Sequence, residues 1–263
     1  VKEFEESVCD YTGARYAVAF NSGTSALHGA MFAAGVKEGT EVITSPITFV
    51  ATSNAVMYLG GIPRFVDIDP RTYCIDIEKI EEKITVKTKV IAPVDYAGYP
   101  VNMKQIREIA DKYDLMIVED AAHALGAKRY GRKMGEEADL TVLSFHPVKH
   151  MTTGEGGMVL TNDEELYHKL RLFRTHGITK DERFLEKKDV GPWYYEMQML
   201  GFNYRLTDIQ CALGISQMKK LERFIKRRNE IALRYDEAFS GHEDIVIPPK
   251  PDYPDSRHAY HLY

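Results

Sequence analysis

Cysteine is scarce in this chain. Among its 263 residues there are three, Cys9, Cys74 and Cys211, odd in number, far apart and outside any C-x-x-C spacing. That pattern speaks against a disulfide framework and against a structural zinc site, so no metal is expected. A reducing, cytoplasmic setting fits best. No apolar run approaches the roughly 20 residues that cross a bilayer, and the opening VKEFEESVCD lacks the apolar core of a signal peptide. A membrane partner is therefore not expected. Excess charge of one sign is missing as well: 39 acidic against 34 basic residues give a formal net charge of −5. There is no basic stripe for a nucleic acid, and KRRNE at 226–230 reads as the solvated face of a helix. Neither an internal repeat nor a low-complexity linker interrupts the chain. A composition of 44% hydrophobic and 28% charged residues is that of an ordinary globular protein, long enough for a large core or two subdomains.

What is present is a regular alternation of short apolar runs and helical patterns. RYAVAF reads as a strand and TSALHGAMFAAG as a helix stopped by Gly35. TEVITS follows as a strand, then a helix over 49–58, then PRFVDID as a strand. KVIAPVDY, the helix NMKQIREIADKYD and the strand LMIVED continue the pattern, and DLTVLSFH and GGMVLTND add two strands close together. This alternation predicts an α/β fold, a mostly parallel sheet covered on both faces by helices. In such folds ligands gather beyond the carboxyl ends of the strands, which here carry Asn21 to Thr24, Ser45-Pro46, Asp95-Tyr96, Glu119-Asp120 and Ser144 to His146. After Thr161 the chain turns mainly helical: EELYHKLRLFRTHG ends at Gly177, 178–195 reads as a polar loop, and one long or two consecutive helices open on the capping box Thr207-x-x-Gln210. The Pro-rich remainder ends in HAYHLY, which reads as the first residues of a strand, so the chain is expected to be incomplete.

Three stretches carry chemistry. FNSGTSAL brings a strand into a helix through Gly23, with hydroxyls on Ser22, Thr24 and Ser25. Free N–H groups at a helix N-terminus make a phosphate site, although a Ser/Thr/Gly cluster is equally an ordinary N-cap. EDAAHALGA sets two carboxylates at a strand end, where Asp120 could cap a helix or, if buried, keep a pyridine nitrogen protonated as pyridoxal phosphate requires. SFHPVKHMTTGEGG sets Lys149 between aromatic, proline and glycine-rich neighbours at another strand end, and its amine could form a Schiff base.

The ordered set NSGTSAL, ITFVAT, EDAAHALGA, SFHPVK-x-x-TTGEGG and GFNYRL resembles the DegT/DnrJ/EryC1/StrS sugar aminotransferases, from about residue 1 to residue 263. VDYAG, His123, LFRTHGI and HAYHLY narrow the likeness to the aminotransferases of pseudaminic acid biosynthesis. The resemblance implies the type I fold of pyridoxal phosphate enzymes. It implies that Lys149 binds the cofactor covalently and shuttles the substrate proton, and that Asp120 pairs with the ring nitrogen. It also implies that Phe49 stacks on the ring, the alternative being a core phenylalanine on the helix over 49–58. His123 would approach the ring or its phenolic oxygen. Gly23, Thr24 and Ser144 match phosphate positions, and Asn203 matches a residue reaching the phosphate from a neighbouring subunit, which implies a homodimer with shared sites.

The implied reaction moves an amino group from glutamate to the C4 ketone of a nucleotide-linked, UDP-type 6-deoxy keto-sugar. A C3 or dTDP-linked aminotransferase, a sugar dehydratase carrying histidine in the lysine slot, and a ligand-sensing regulator of the same fold are the alternatives. Residues 1–240 are expected to form the large cofactor-binding domain, helical from about 164, and 241–263 the start of a small C-terminal domain. Trp193, Tyr194 and Tyr195 in loop 178–195 fit either a substrate wall or a dimer contact.

Overall fold

The computed structural model describes residues 1–263. Helix α1 (Lys2–Thr12) ends at Gly13, whose φ of 89° turns the chain into β1 (Tyr16–Phe20). There follow α2 (Gly23–Ala33), β2 (Glu41–Thr44), α3 (Ala51–Met57), β3 (Ile62–Phe65) and β4 (Thr88–Ala92). Next come α4 (Met103–Tyr113), β5 (Met116–Asp120), the short ribbon β6 (Lys128–Arg129) and β7 (Arg132–Lys133), then β8 (Leu140–Ser144) and β9 (Gly157–Thr161). Helix α5 (Glu164–Arg174), the ribbon β10 (Ile178–Thr179) and β11 (Glu196–Met197), α6 (Asp208–Met218) and α7 (Leu221–Phe239) complete the chain.

Seven strands form the central sheet in the order β1-β9-β8-β5-β4-β2-β3. All run parallel except β9, which is antiparallel to both neighbours. The central strands β5, β8 and β9 are buried along nearly their whole length, with apolar residues interrupted by the buried Glu119, Asp120 and Thr141. One apolar cluster joins α2, α3 and α5 to one face of the sheet through Leu27, Met31, Val56 and Phe173. A second joins α1, α6 and α7 to the other through Phe4, Leu143, Cys211 and Ile225. At Gly214 of α6 a Cβ would lie 2.6 Å from the Phe4 ring, so glycine permits the close approach of α6 to α1.

Several boundaries differ from the sequence expectation. Strand β3 closes at Phe65 because its partner β2 runs out at Ser45-Pro46, where proline offers no N–H. Helix α3 begins at Ala51, leaving Phe49 outside it. The last helical stretch is two helices broken at Lys219-Lys220, and Thr207 and Gln210 do form the capping box. The polar loop at 178–195 is closed at its base by the β10/β11 ribbon. HAYHLY is not a strand: residues 257–262 cross the carboxyl edge of the sheet as an irregular segment, bonded to Lys128, Gly98 and Ala97.

Candidate active site

Because β9 runs against β8, the chain leaves the sheet at Ser144 and re-enters at Gly157 over the same carboxyl edge. The connection 145–156 therefore overhangs the ends of β1, β5 and β8. Lys149 sits on it, with its N–H bonded to the His146 carbonyl at 2.9 Å and Thr152 Oγ1 donating to the Phe145 carbonyl at 2.9 Å. Beneath lies an open cleft of about 840 Å³ lined by Gly23, Thr24, Phe49, Asp120, His123, Ser144 and Lys149. Residues from four separated stretches, 23–24, 49, 120–123 and 144–149, thus meet at one place.

The phosphate-type cradle is built by exclusion. Ser22 and Ser25 form a reciprocal capping box at the start of α2, which leaves the N–H groups of Gly23 and Thr24 free of intrahelical partners. A Cβ on Gly157 would lie 2.4 Å from the Ser22 carbonyl oxygen and 2.7 Å from the Gly23 nitrogen. One on Gly23 would sit 3.1 Å from Ser144 Oγ. Two glycines therefore let the helix N-terminus, the β9 start and the Ser144 hydroxyl converge. Ser25 is the exception among the expected donors. Its hydroxyl turns inward, donating to Asn21 Oδ1 at 2.7 Å and accepting from the Ser22 N–H at 3.1 Å, so it completes the cap and does not line the cleft.

The two carboxylates of EDAAHALGA part company, as alternation along a strand demands. Glu119 faces away and joins a buried network with Arg129, Thr141 and the neighbouring Asp95. Asp120, 4% exposed, forms the cleft floor. Thr52 Oγ1 donates to its Oδ2 at 2.7 Å and the Ala122 N–H to its Oδ1 at 3.1 Å. Burial raises the Asp120 pKa, while those two hydrogen bonds and the charge of Lys149 pull it back. Burial lowers the Lys149 pKa against the opposing pull of Asp120. The His123 imidazole, buried and beside Lys149 and His261, falls to about 3 and is neutral at physiological pH.

Phe49 is 68% exposed at the cleft wall. A core role on α3 is thereby overturned, because the helix starts two residues later. Asn203 is exposed, paired in an isolated bridge with Thr175, and does not line the cleft of its own chain. The aromatics of 193–195 also lie outside the cleft. Sequence reading gave no site role to Thr52, Glu155 or His261, and placed Tyr96 at a strand end without one. Thr52 carried no local signal, since its partner Asp120 is 68 positions away. His261 carried little, since its position depends on how the C-terminal segment folds back.

An amine, a buried carboxylate, an exposed ring and a cradle of free N–H groups in one cleft fit a phosphorylated aromatic aldehyde with a ring nitrogen. A family model described as the DegT/DnrJ/EryC1/StrS aminotransferase family matches residues 1–263. The chain is 43% identical over 264 residues to the UDP-4-amino-4,6-dideoxy-N-acetyl-beta-L-altrosamine transaminase of Campylobacter jejuni, covering 99% of this chain and 67% of that protein. Helicobacter pylori PseC, an aminotransferase involved in the biosynthesis of pseudoaminic acid, superposes with a TM-score of 0.90 at 38% identity, covering 100% of this chain and 68% of that one. NtdA of Bacillus subtilis, solved with bound cofactor PMP, gives 0.86 at 36% identity, covering 100% and 57%.

Proposed function

The chain belongs to the DegT/DnrJ/EryC1/StrS aminotransferase family, and from that premise we propose that it transfers an amino group from glutamate to the C4 ketone of a UDP-linked 6-deoxy keto-sugar. Its cofactor is pyridoxal phosphate, whose amine form, PMP, occupies NtdA. The fold is the type I fold of such enzymes. The observation that carries the proposal is the convergence of Lys149, Asp120 and the Gly23-Thr24 cradle in one cleft. The named relatives in Campylobacter and Helicobacter support the sugar class.

When bound, the cofactor supplies an electron sink for the carbanion left by removal of an α-proton. The chain's residues do the rest. The N–H groups of Gly23 and Thr24, with Ser144 Oγ, bind the phosphate at the positive end of α2. Asp120, whose charged form the Thr52 and Ala122 hydrogen bonds favour against burial, would hold a proton on the ring nitrogen. Phe49 and the uncharged His123 imidazole, both lining the cleft, would hold the ring. Lys149 Nζ would hold the cofactor and, as a free amine, would carry the proton to and from the substrate carbon. Burial favours its uncharged form, the one able to accept a proton.

Asn203 acts in the partner's site of a homodimer; its exposure and its absence from the lining of its own cleft support that reading. A sugar dehydratase is disfavoured by His150, which is 3% exposed, has neither ring nitrogen bonded and does not reach the cleft. The test is spectroscopic. Protein loaded with pyridoxal phosphate is expected to lose its visible absorbance on addition of glutamate, to release 2-oxoglutarate, and to recover the absorbance with a UDP-linked 4-keto-sugar. Retention of the colour under glutamate would contradict the proposal.

A further inference from the structure

His123 presents a geometric problem. A functional imidazole is ordinarily oriented by a hydrogen bond to its second ring nitrogen, which also selects the tautomer. In this protein His123 Nδ1 is buried without any partner. The ring torsion of histidine is broad when nothing directs it, and the rings packed against His123 restrict it.

The packing is a pincer. On one side stands Tyr96, with ring centroids 6.1 Å apart. On the other stands His261 at 4.3 Å, inclined by 39°. Both jaws hang from one turn. Residues 96–98 carry the Tyr96 ring, and the Ala97 carbonyl accepts the His261 N–H at 2.8 Å. Ala97 lies at φ 56° and Tyr260 at φ 46°, a left-handed region unfavourable for a residue with a β-carbon. They are kept there by surrounding bonds. Arg228 Nη1 donates to the Tyr260 carbonyl at 2.9 Å, Asn229 Nδ2 to the His258 carbonyl at 3.1 Å, and the Ala259 N–H to the Gly98 carbonyl at 2.9 Å. Gly98 has φ 97°, and a Cβ on it would lie 2.8 Å from the His123 carbonyl oxygen and 2.9 Å from the Tyr260 nitrogen. The whole irregular segment 257–262 is thus fastened so that His261 is delivered against His123 in the cleft.

We propose that His261 is a positioning residue for the amino-transfer reaction: its ring backs the His123 imidazole and fixes the plane in which His123 meets the cofactor. Burial keeps both rings uncharged at neutral pH, His123 at about 3 and His261 at about 4, so the two tilted rings pack without charge repulsion. His261 Nδ1 is itself buried and unpartnered, which leaves its flat ring surface as the feature His123 uses. The inference rests on the functional assignment of the cleft and adds to it a residue that belongs to the C-terminal segment.

The experiment compares His261→Ala and His261→Phe in the full chain by two readouts. In the cofactor-free protein, isotope-labelled histidine NMR follows the His123 ring; in the loaded enzyme, steady-state kinetics with glutamate separates kcat from KM. His261→Ala is expected to broaden or split the His123 ring signals and to lower kcat about 10-fold or more through misplacement. The KM for glutamate should stay within about twofold. His261→Phe, which restores a flat ring, is expected to return a single sharp His123 signal and most of kcat. Unchanged His123 signals in the alanine variant would overturn the proposal. So would a phenylalanine variant as slow as the alanine one despite a sharp His123 signal, which would mean that His261 acts through its own nitrogens. If the wild type transfers no amine while the NMR pattern is as expected, the positioning role stands and the assigned reaction falls.

Discussion

At the scale of single residues, the proposed chemistry turns on a balance at Asp120 on the cleft floor. Burial disfavours its charge, and Thr52, Ala122 and Lys149 favour it. Asp120→Asn keeps the shape and removes the charge. Cofactor is expected to remain bound while stopped-flow rates of both half-reactions fall by about two orders of magnitude or more, as for loss of a major electrostatic contribution. Thr52→Val tests the balance itself. Without the hydroxyl donor to Oδ2, the neutral carboxyl is favoured and the Asp120 pKa rises. The ionised form then persists only at higher pH, so the acid limb of the kcat profile is expected to move upward by about one pH unit. An unmoved limb would mean that Asp120 does not govern it. Asp120 was legible in the sequence from its place at a strand end. Thr52 was not, because its partner is 68 positions away and only the packing of α3 on the sheet brings them together.

At the scale of elements, one reversed strand organises the site. Strand β9, antiparallel between β1 and β8, returns the chain over the carboxyl edge and hangs Lys149 above the N-terminus of α2. Gly157, its first residue, touches Ser22 and Gly23 so closely that no side chain fits. Gly157→Ala is expected to push the start of α2 outward and to weaken pyridoxal phosphate binding about 10-fold or more, read by absorbance titration, since the phosphate contacts are positional. Binding equal to that of the wild type would remove the cradle from the site. The strands and most helices were legible because each carries its own apolar period and breaker residues. The ends of β3 and α3 were not, since they are set by where a neighbouring strand or turn stops. The same holds for HAYHLY. Its alternation mimics a strand, yet its carbonyls and N–H groups are taken by Arg228, Asn229 and the 97–98 turn.

At the scale of the whole molecule, the chain spans about two thirds of the length of the Campylobacter relative it matches. No helix is long and apolar enough to cross a membrane. Asn203 lies exposed and does not line the cleft of its own chain, which is compatible with the proposed role in a second copy. Asn203→Ala is expected to leave the melting temperature and the dimer mass by light scattering unchanged, because an exposed side chain contributes little to folding, while cofactor dissociates faster on dilution. A monomeric wild type, or an unchanged dissociation rate, would place the phosphate site within one subunit. The assignment of Asn203 came from sequence resemblance; the geometry of a second subunit is not encoded in any local pattern of this chain.

The central claim is that Lys149 holds the cofactor covalently and moves the substrate proton. It is tested most directly by borohydride reduction of the pyridoxal phosphate-loaded protein, followed by peptide mass analysis. The cofactor mass is expected on the peptide containing Lys149. In Lys149→Ala, which retains the phosphate cradle, no peptide should be labelled and glutamate should not bleach the bound cofactor at a useful rate. Label on another lysine, or normal amino transfer by the alanine variant, would contradict it.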